Sequence, residues 1–205
     1  MMKVLSCVSV LLVSGCATVS MVSQEAVIET ETNSEQSALR ETAEAFKTSA
    51  ETRGWVTESR GLMDFANILF GGTSEQTDRP TANYAEQIDA ASADPASVYT
   101  TIETDARSAA LELEALDALA TDLLASEAVD RSDVISFESA LVVAQKSYRS
   151  FSEAAGIAGA RSSDGLAGAE LALAQFATTI DMARNSADQL ASAYADGKAA
   201  ETASS

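Results

Sequence analysis

Hydrophobic positions in the second half of the chain recur at alternating steps of three and four. Ile102, Ala106, Ala109, Leu113, Leu116, Ala120 and Leu123 form one series. Val134, Phe137, Leu141, Ala144, Tyr148, Phe151 and Ala155 form a second, and Leu166, Ala169, Leu173, Phe176, Ile180, Ala183, Ala187, Leu190 and Tyr194 a third. Residues so spaced share one stripe of an α-helix, so the pattern predicts three long amphipathic helices. Asp94 and Pro95 supply an N-cap and a first-turn proline for the first of them. A break at 127–130 precedes the second, which Gly156 and Gly159 end; Ser163 caps the third, which runs to Gly197. The first half is less regular. Asn33 and Gln36 predict a capping box opening a shorter helix that carries Leu39, Ala43, Phe46 and Ala50 and stops at Gly54. Between Gly61 and Gly72 lies a short apolar segment bracketed by glycines, and Pro80 and Pro95 break the polar stretch after it, where Tyr84, Ala85 and Ile88 suit a single helical turn.

The expected fold is therefore all-α: an elongated antiparallel bundle at 33–197, with three long helices and one or two shorter N-terminal helices. Connections of about four to seven residues fit antiparallel neighbours. The long helices should measure roughly 38 to 50 Å at 1.5 Å per residue. The residues from 198 to 205 are expected as a disordered C-terminal tail. Composition sharpens this picture. The chain has 40 Ala and only 5% aromatic residues. Ala at many seam positions lets helix axes approach closely, while Leu113, Phe137, Phe151 and Phe176 fill the layers between them. The same stripes serve a monomeric bundle and an intermolecular coiled coil equally well.

The N-terminus has a different character. Met1–Lys3 is a short positive stretch, Val4–Val13 is apolar, and Leu12-Val13-Ser14-Gly15-Cys16 places small residues before a cysteine. An apolar run of that length rises about 15 Å as helix, half of the roughly 30 Å hydrocarbon core, so it reads as a signal peptide rather than a membrane span. These residues resemble the signal and lipobox of bacterial lipoproteins. The resemblance covers residues 1–16 and implies cleavage after Gly15 and lipidation of Cys16 by a diacylglyceryl group and a third acyl chain such as palmitate. Lipidation at this level exceeds what stable anchoring needs. Ala17 follows the lipidated position where the inner-membrane retention signal of enteric bacteria has Asp, which implies the outer membrane, facing the periplasm. Cys7 leaves with the signal, so the mature chain keeps one cysteine, already committed to lipid, and forms no internal disulfide. Residues 16–32 are polar without an apolar period and are expected as a tether.

Charge and residue types then exclude whole classes of chemistry. There is no His, which removes Ser-His-Asp catalysis, His-ligated zinc and haem, and the Glu-x-x-His di-iron sites of helix bundles. A formal charge of −18 repels nucleic acid and anionic headgroups. No EF-hand loop, phosphate-cradling loop or nucleophile elbow occurs, and neither a metal site nor a cofactor is expected. The seams of the long helices hold no Asp, Glu, Lys or Arg, and their only polar groups are the Tyr148 and Tyr194 hydroxyls, so a catalytic centre inside the bundle is hard to build.

Two surfaces remain as candidates. The glycine-bracketed segment places Leu62, Phe65 and Leu69 on one helical face and Met63, Ile68 and Phe70 on others, leaving apolar surface for a lipid, a membrane surface or a partner, with Trp55 just before it. The helix from Pro95 is the most acidic, and Glu112, Glu114 and Asp117 are the proposed footprint of a basic partner. The expected function is a membrane-anchored, non-enzymatic scaffold or protein-interaction module of the cell envelope, bound to membrane lipid through Cys16 and to an unidentified envelope protein. The alternative is a carrier or accessory protein that holds a lipid or other apolar ligand.

Overall fold

A computed structural model describes residues 22–56, 82–126 and 128–203. Within them lie α1 (Val22–Thr52), a single turn α2 (Tyr84–Gln87), α3 (Pro95–Ala125), α4 (Arg131–Gly159) and α5 (Leu166–Ala203). No strand occurs among the described residues. The fold is an all-α bundle that contains the three long helices the periodicity marks, but α1, expected to be shorter, has 31 residues and matches α3 in length. Every seam position predicted on α3 is buried, as are Leu39, Ala43, Phe46 and Ala50 on α1. On α4 and α5 the central seam positions are buried, while Val134, Tyr148, Leu166 and Tyr194 near the edges and ends are half-buried.

The helix starts follow from their caps. Asp94 accepts from the Ser97 backbone N–H, and Pro95 follows at the first helical position. Asp130 caps α4 through the N–H groups of Ser132 and Asp133, and the Asp133 side chain reciprocates to the Asp130 N–H. α1 ends at Gly54, whose φ of 69° is the left-handed conformation that favours glycine. There the Trp55 N–H reaches Ala50 O at 2.9 Å and the Gly54 N–H reaches Glu51 O at 3.0 Å, the paired bonds of a Schellman stop.

Three expectations on helix ends are corrected. α1 begins at Val22, so residues 22–32, expected as tether, are helical, and Asn33 and Gln36 lie inside the helix rather than opening it: the stretch before them has no Gly or Pro to stop it. Gly156 does not stop α4, which continues to Gly159. Gly197 does not stop α5, and residues 198–203 extend the helix rather than forming a disordered tail. An interior glycine costs about 1 kcal/mol relative to Ala, less than the Ala-rich turns around it recover. A Cβ on Gly156 would meet nothing within 4 Å. Gly156→Ala should therefore raise the unfolding free energy by about 0.5–1 kcal/mol; a lower melting temperature would contradict the open site.

The helices pack as two triangles sharing an edge. α3 and α4 touch each other, α1 lies against both, and α5 lies against both from the other side. Among the described residues α1 and α5 do not touch, so α3 and α4 form the centre of the bundle. The closest pairing is α3 with α5, which run parallel. Thr179 Oγ1 donates to Glu114 at 3.3 Å, and a Cβ on Gly168 would run into the Glu103 carboxylate. That register places Leu190 of α5 beside the last turn of α3, so residues 191–203 continue about 20 Å past the α3–α4 turn. At the same end Gln36 Nε2 donates to Ala128 O at 2.5 Å, and the part of α1 before Gln36 also runs past that turn.

Candidate functional site

Cys16, Gly15, Leu62, Met63, Phe65, Ile68, Leu69 and Phe70 lie outside the described residues. Trp55 is described and is not an open contact residue. It is fully buried, edge-on to Phe151 with ring centroids 5.7 Å apart, under the Arg53 guanidinium. Tyr84 of α2 meets the same Phe151 ring at 4.9 Å, and Phe176 of α5 meets it at 6.1 Å. Trp55 and α2 thus close one end of the bundle. The Schellman turn at Gly54 delivers Trp55 there, since an apolar residue after such a stop folds back onto its helix.

Glu112, Glu114 and Asp117 do not form one acidic face. Glu112 turns toward α1, where Arg53 Nη2 lies at 3.4 Å and Ser49 Oγ at 3.3 Å from its Oε1. Glu114 turns toward α5 and accepts from Thr179. Asp117 keeps one buried carboxylate oxygen without a hydrogen-bond partner among the described residues. Two of the three proposed contacts with a basic partner are therefore engaged within the bundle, on opposite flanks of α3.

The structure reveals buried polar groups that the stripe pattern does not mark. Asp133 is 0% exposed. Its Oδ1 accepts from Arg40 Nε at 2.7 Å, its Oδ2 accepts from the Asp130 N–H at 2.9 Å, and Arg40 also pairs with Asp130. Burial raises the Asp130 carboxyl, but hydrogen bonds from Ser132 and the Asp133 backbone, with the Arg40 charge, outweigh it and hold it below the usual carboxylate range. Burial opposes charge on Arg40 as well, and the two aspartates more than restore it. The cluster pins α1 to the start of α4. The sequence signal for half of it is the Asp130-x-x-Asp133 spacing of a capping box.

Other buried polar groups are similarly absorbed. The Tyr84 hydroxyl donates to Asp105 at 2.7 Å, and burial together with that carboxylate pushes its ionisation well above the ordinary tyrosine value. Tyr99 donates to Ser162 O, tying the start of α3 to the α4–α5 turn. Arg161 donates to the carbonyls of Ala93 at 2.6 Å, Ala90 at 3.3 Å and Ser92 at 3.4 Å, fastening the same end. Ser147 Oγ returns its proton to Val143 O one turn back. The Tyr99 and Ser147 hydroxyls thus end on backbone carbonyls, and the Tyr84 hydroxyl on a carboxylate. No cluster of His, Cys, Asp or Glu suited to a metal ion occurs among the described residues.

Surface grooves remain. A groove of about 430 Å³ between α3 and α5 includes Arg107, Leu111, Glu114, Gln175 and Met182; Leu111 is 67% and Met182 51% exposed. A second, of about 350 Å³, lies between α4 and α5 and is lined by Tyr148, Arg149, Ile180 and Arg184 among others. Among the described residues no helix is long and apolar enough to cross a membrane. Comparison of the chain with protein-family models, with curated proteins and with solved structures yields no match.

Proposed function

We propose that the chain is a lipid-anchored, non-enzymatic helical bundle that serves as a scaffold or protein-interaction module of the bacterial cell envelope. Cys16 carries the anchor, and the outer membrane facing the periplasm is the location the residue after it favours. The observation that carries this reading is the Leu12–Cys16 lipobox behind a short apolar signal, joined to a body whose buried polar groups hold its helices together. Two acyl signals or more make membrane residence durable without a spanning helix, so the bundle stays at the membrane and offers its long helical faces to neighbours.

The experiment is metabolic labelling with an alkyne fatty acid followed by membrane fractionation. The native chain should take up label and sediment with membranes, and Cys16→Ser should lose the label and appear in the soluble fraction. A native chain that takes up no label overturns the anchored reading. For the scaffold reading, proximity labelling from the native chain should return the same envelope proteins in repeated experiments; an unreproducible set counts against it.

A further inference from the structure

The groove between α4 and α5 is lined by two arginines, Arg149 and Arg184, in a chain where acidic residues outnumber basic ones by 31 to 13. Gln145, Arg149 and Ser152 follow one edge of α4 at steps of four and three, and Ala177, Asp181 and Arg184 follow the facing edge of α5 at the same steps. These edges flank the buried seam, and the groove floor is drawn from it. Ile180 is buried, and Tyr148 is half-buried and set edge-on to Phe176 at 6.2 Å. Among the described residues the Arg149 side chain makes no hydrogen bond or ion pair. Arg184 pairs with Asp181 at 2.8 Å, one turn earlier on its own helix, with both side chains more than half exposed. An exposed pair of this kind is weak and exchanges readily for a better partner. The groove therefore combines an apolar floor, two neutral hydrogen-bonding groups and a net positive rim, within the size range of small-molecule sites, roughly 300–1,000 Å³.

We propose that this groove binds a small organic anion, its carboxylate or phosphate held by Arg149 and Arg184 and its apolar body laid on Tyr148 and Ile180. Gln145 and Ser152 supply further hydrogen bonds along the α4 edge. Guanidinium suits both headgroups because its planar fork matches two oxygens at once. A cation is disfavoured, since the single carboxylate in the groove, Asp181, already faces Arg184. A wholly apolar ligand would leave the charged rim without compensation.

The test is isothermal titration of the full chain with phenyl phosphate and with benzoate, using benzyl alcohol as the uncharged counterpart. At least one anion should bind, benzyl alcohol should bind at least about tenfold more weakly, and the affinity should fall as salt rises. Arg149→Ala and Arg184→Ala should each weaken binding by about tenfold, the scale of one charge-assisted hydrogen bond. Arg149→Lys should retain part of the affinity, and Arg107→Ala, in the α3–α5 groove, should leave it unchanged. All these arginines are exposed, so circular dichroism should show intact helices in every variant. The anion that binds more tightly identifies the headgroup. Absence of binding by either anion up to about 10 mM, equal binding of benzyl alcohol, or full affinity in the Arg149→Ala, Arg184→Ala double variant overturns the proposal.

Discussion

Replacing Phe151 with Ala should lower the unfolding free energy by about 3–5 kcal/mol, the range for emptying a large buried aromatic site. The upper part of that range applies here because Phe151 is fully buried and its ring contacts three others, Trp55, Tyr84 and Phe176. Those rings come from three separate parts of the chain, and edge-to-face pairs add about 0.5–1.5 kcal/mol each beyond their buried area. The cavity would also free the end of the bundle that α2 covers. Phe151→Leu keeps most of the volume and should cost markedly less. Thermal or denaturant melts check this: equal midpoints for Phe151→Ala and the native chain would mean that this end of the bundle carries little of the stability.

The second large effect is expected at Arg40. Arg40→Ala leaves the Asp133 carboxylate buried and without its countercharge. Breaking a buried pair costs roughly 3–5 kcal/mol, and the lower end, about 3 kcal/mol, applies because the Arg40 side chain is 37% exposed and water partly screens it. Adding Asp133→Asn should recover part of the loss, since a neutral amide needs no countercharge. The double variant separates the charge effect from simple loss of the arginine stem. An Arg40→Ala protein as stable as the native one would show that water or the capping N–H groups alone satisfy Asp133. The same cluster sets an acid limit. The folded Asp130 carboxyl is held below its unfolded value, so its contribution is complete above about pH 3.9, the unfolded carboxylate value, and is lost as pH falls through the lower folded value. Acid melts below about pH 4 should therefore be steeper for the native chain than for Asp130→Ser, which keeps a cap but no charge.

The stripes of α3, α4 and α5 were legible because a packing surface must repeat wherever a helix stays against its neighbours. Leu113, Phe137 and Phe176 could be assigned to the core with no knowledge of which helix faces which. Helix ends were less legible, since one glycine has opposite meanings in different surroundings. Gly54 adopts a positive φ and stops α1, whereas Gly156 and Gly197 remain helical among alanines. Pairing between distant residues was not legible at all. Arg40 stands about ninety positions from the aspartates it binds, and nothing local distinguishes it from a solvated arginine. Glu112 and Glu114 are close in sequence, yet the turn of α3 sends them to α1 and α5 respectively. The α4–α5 groove was likewise hidden, because Arg149 and Arg184 share a groove only once the two seams are set antiparallel.

The position of α1 outside the shared α3–α4 edge has a mechanical meaning. A pull on the N-terminal end of α1 acts along its axis and loads its flank in shear against α3 and α4 over several turns at once. Arg40 and Arg53, about three and a half turns apart, resist sliding at two levels. Among the described residues α5 has no contact with α1 and carries none of that load directly, so the α4–α5 and α3–α5 grooves should keep their shape while the N-terminal end is under tension.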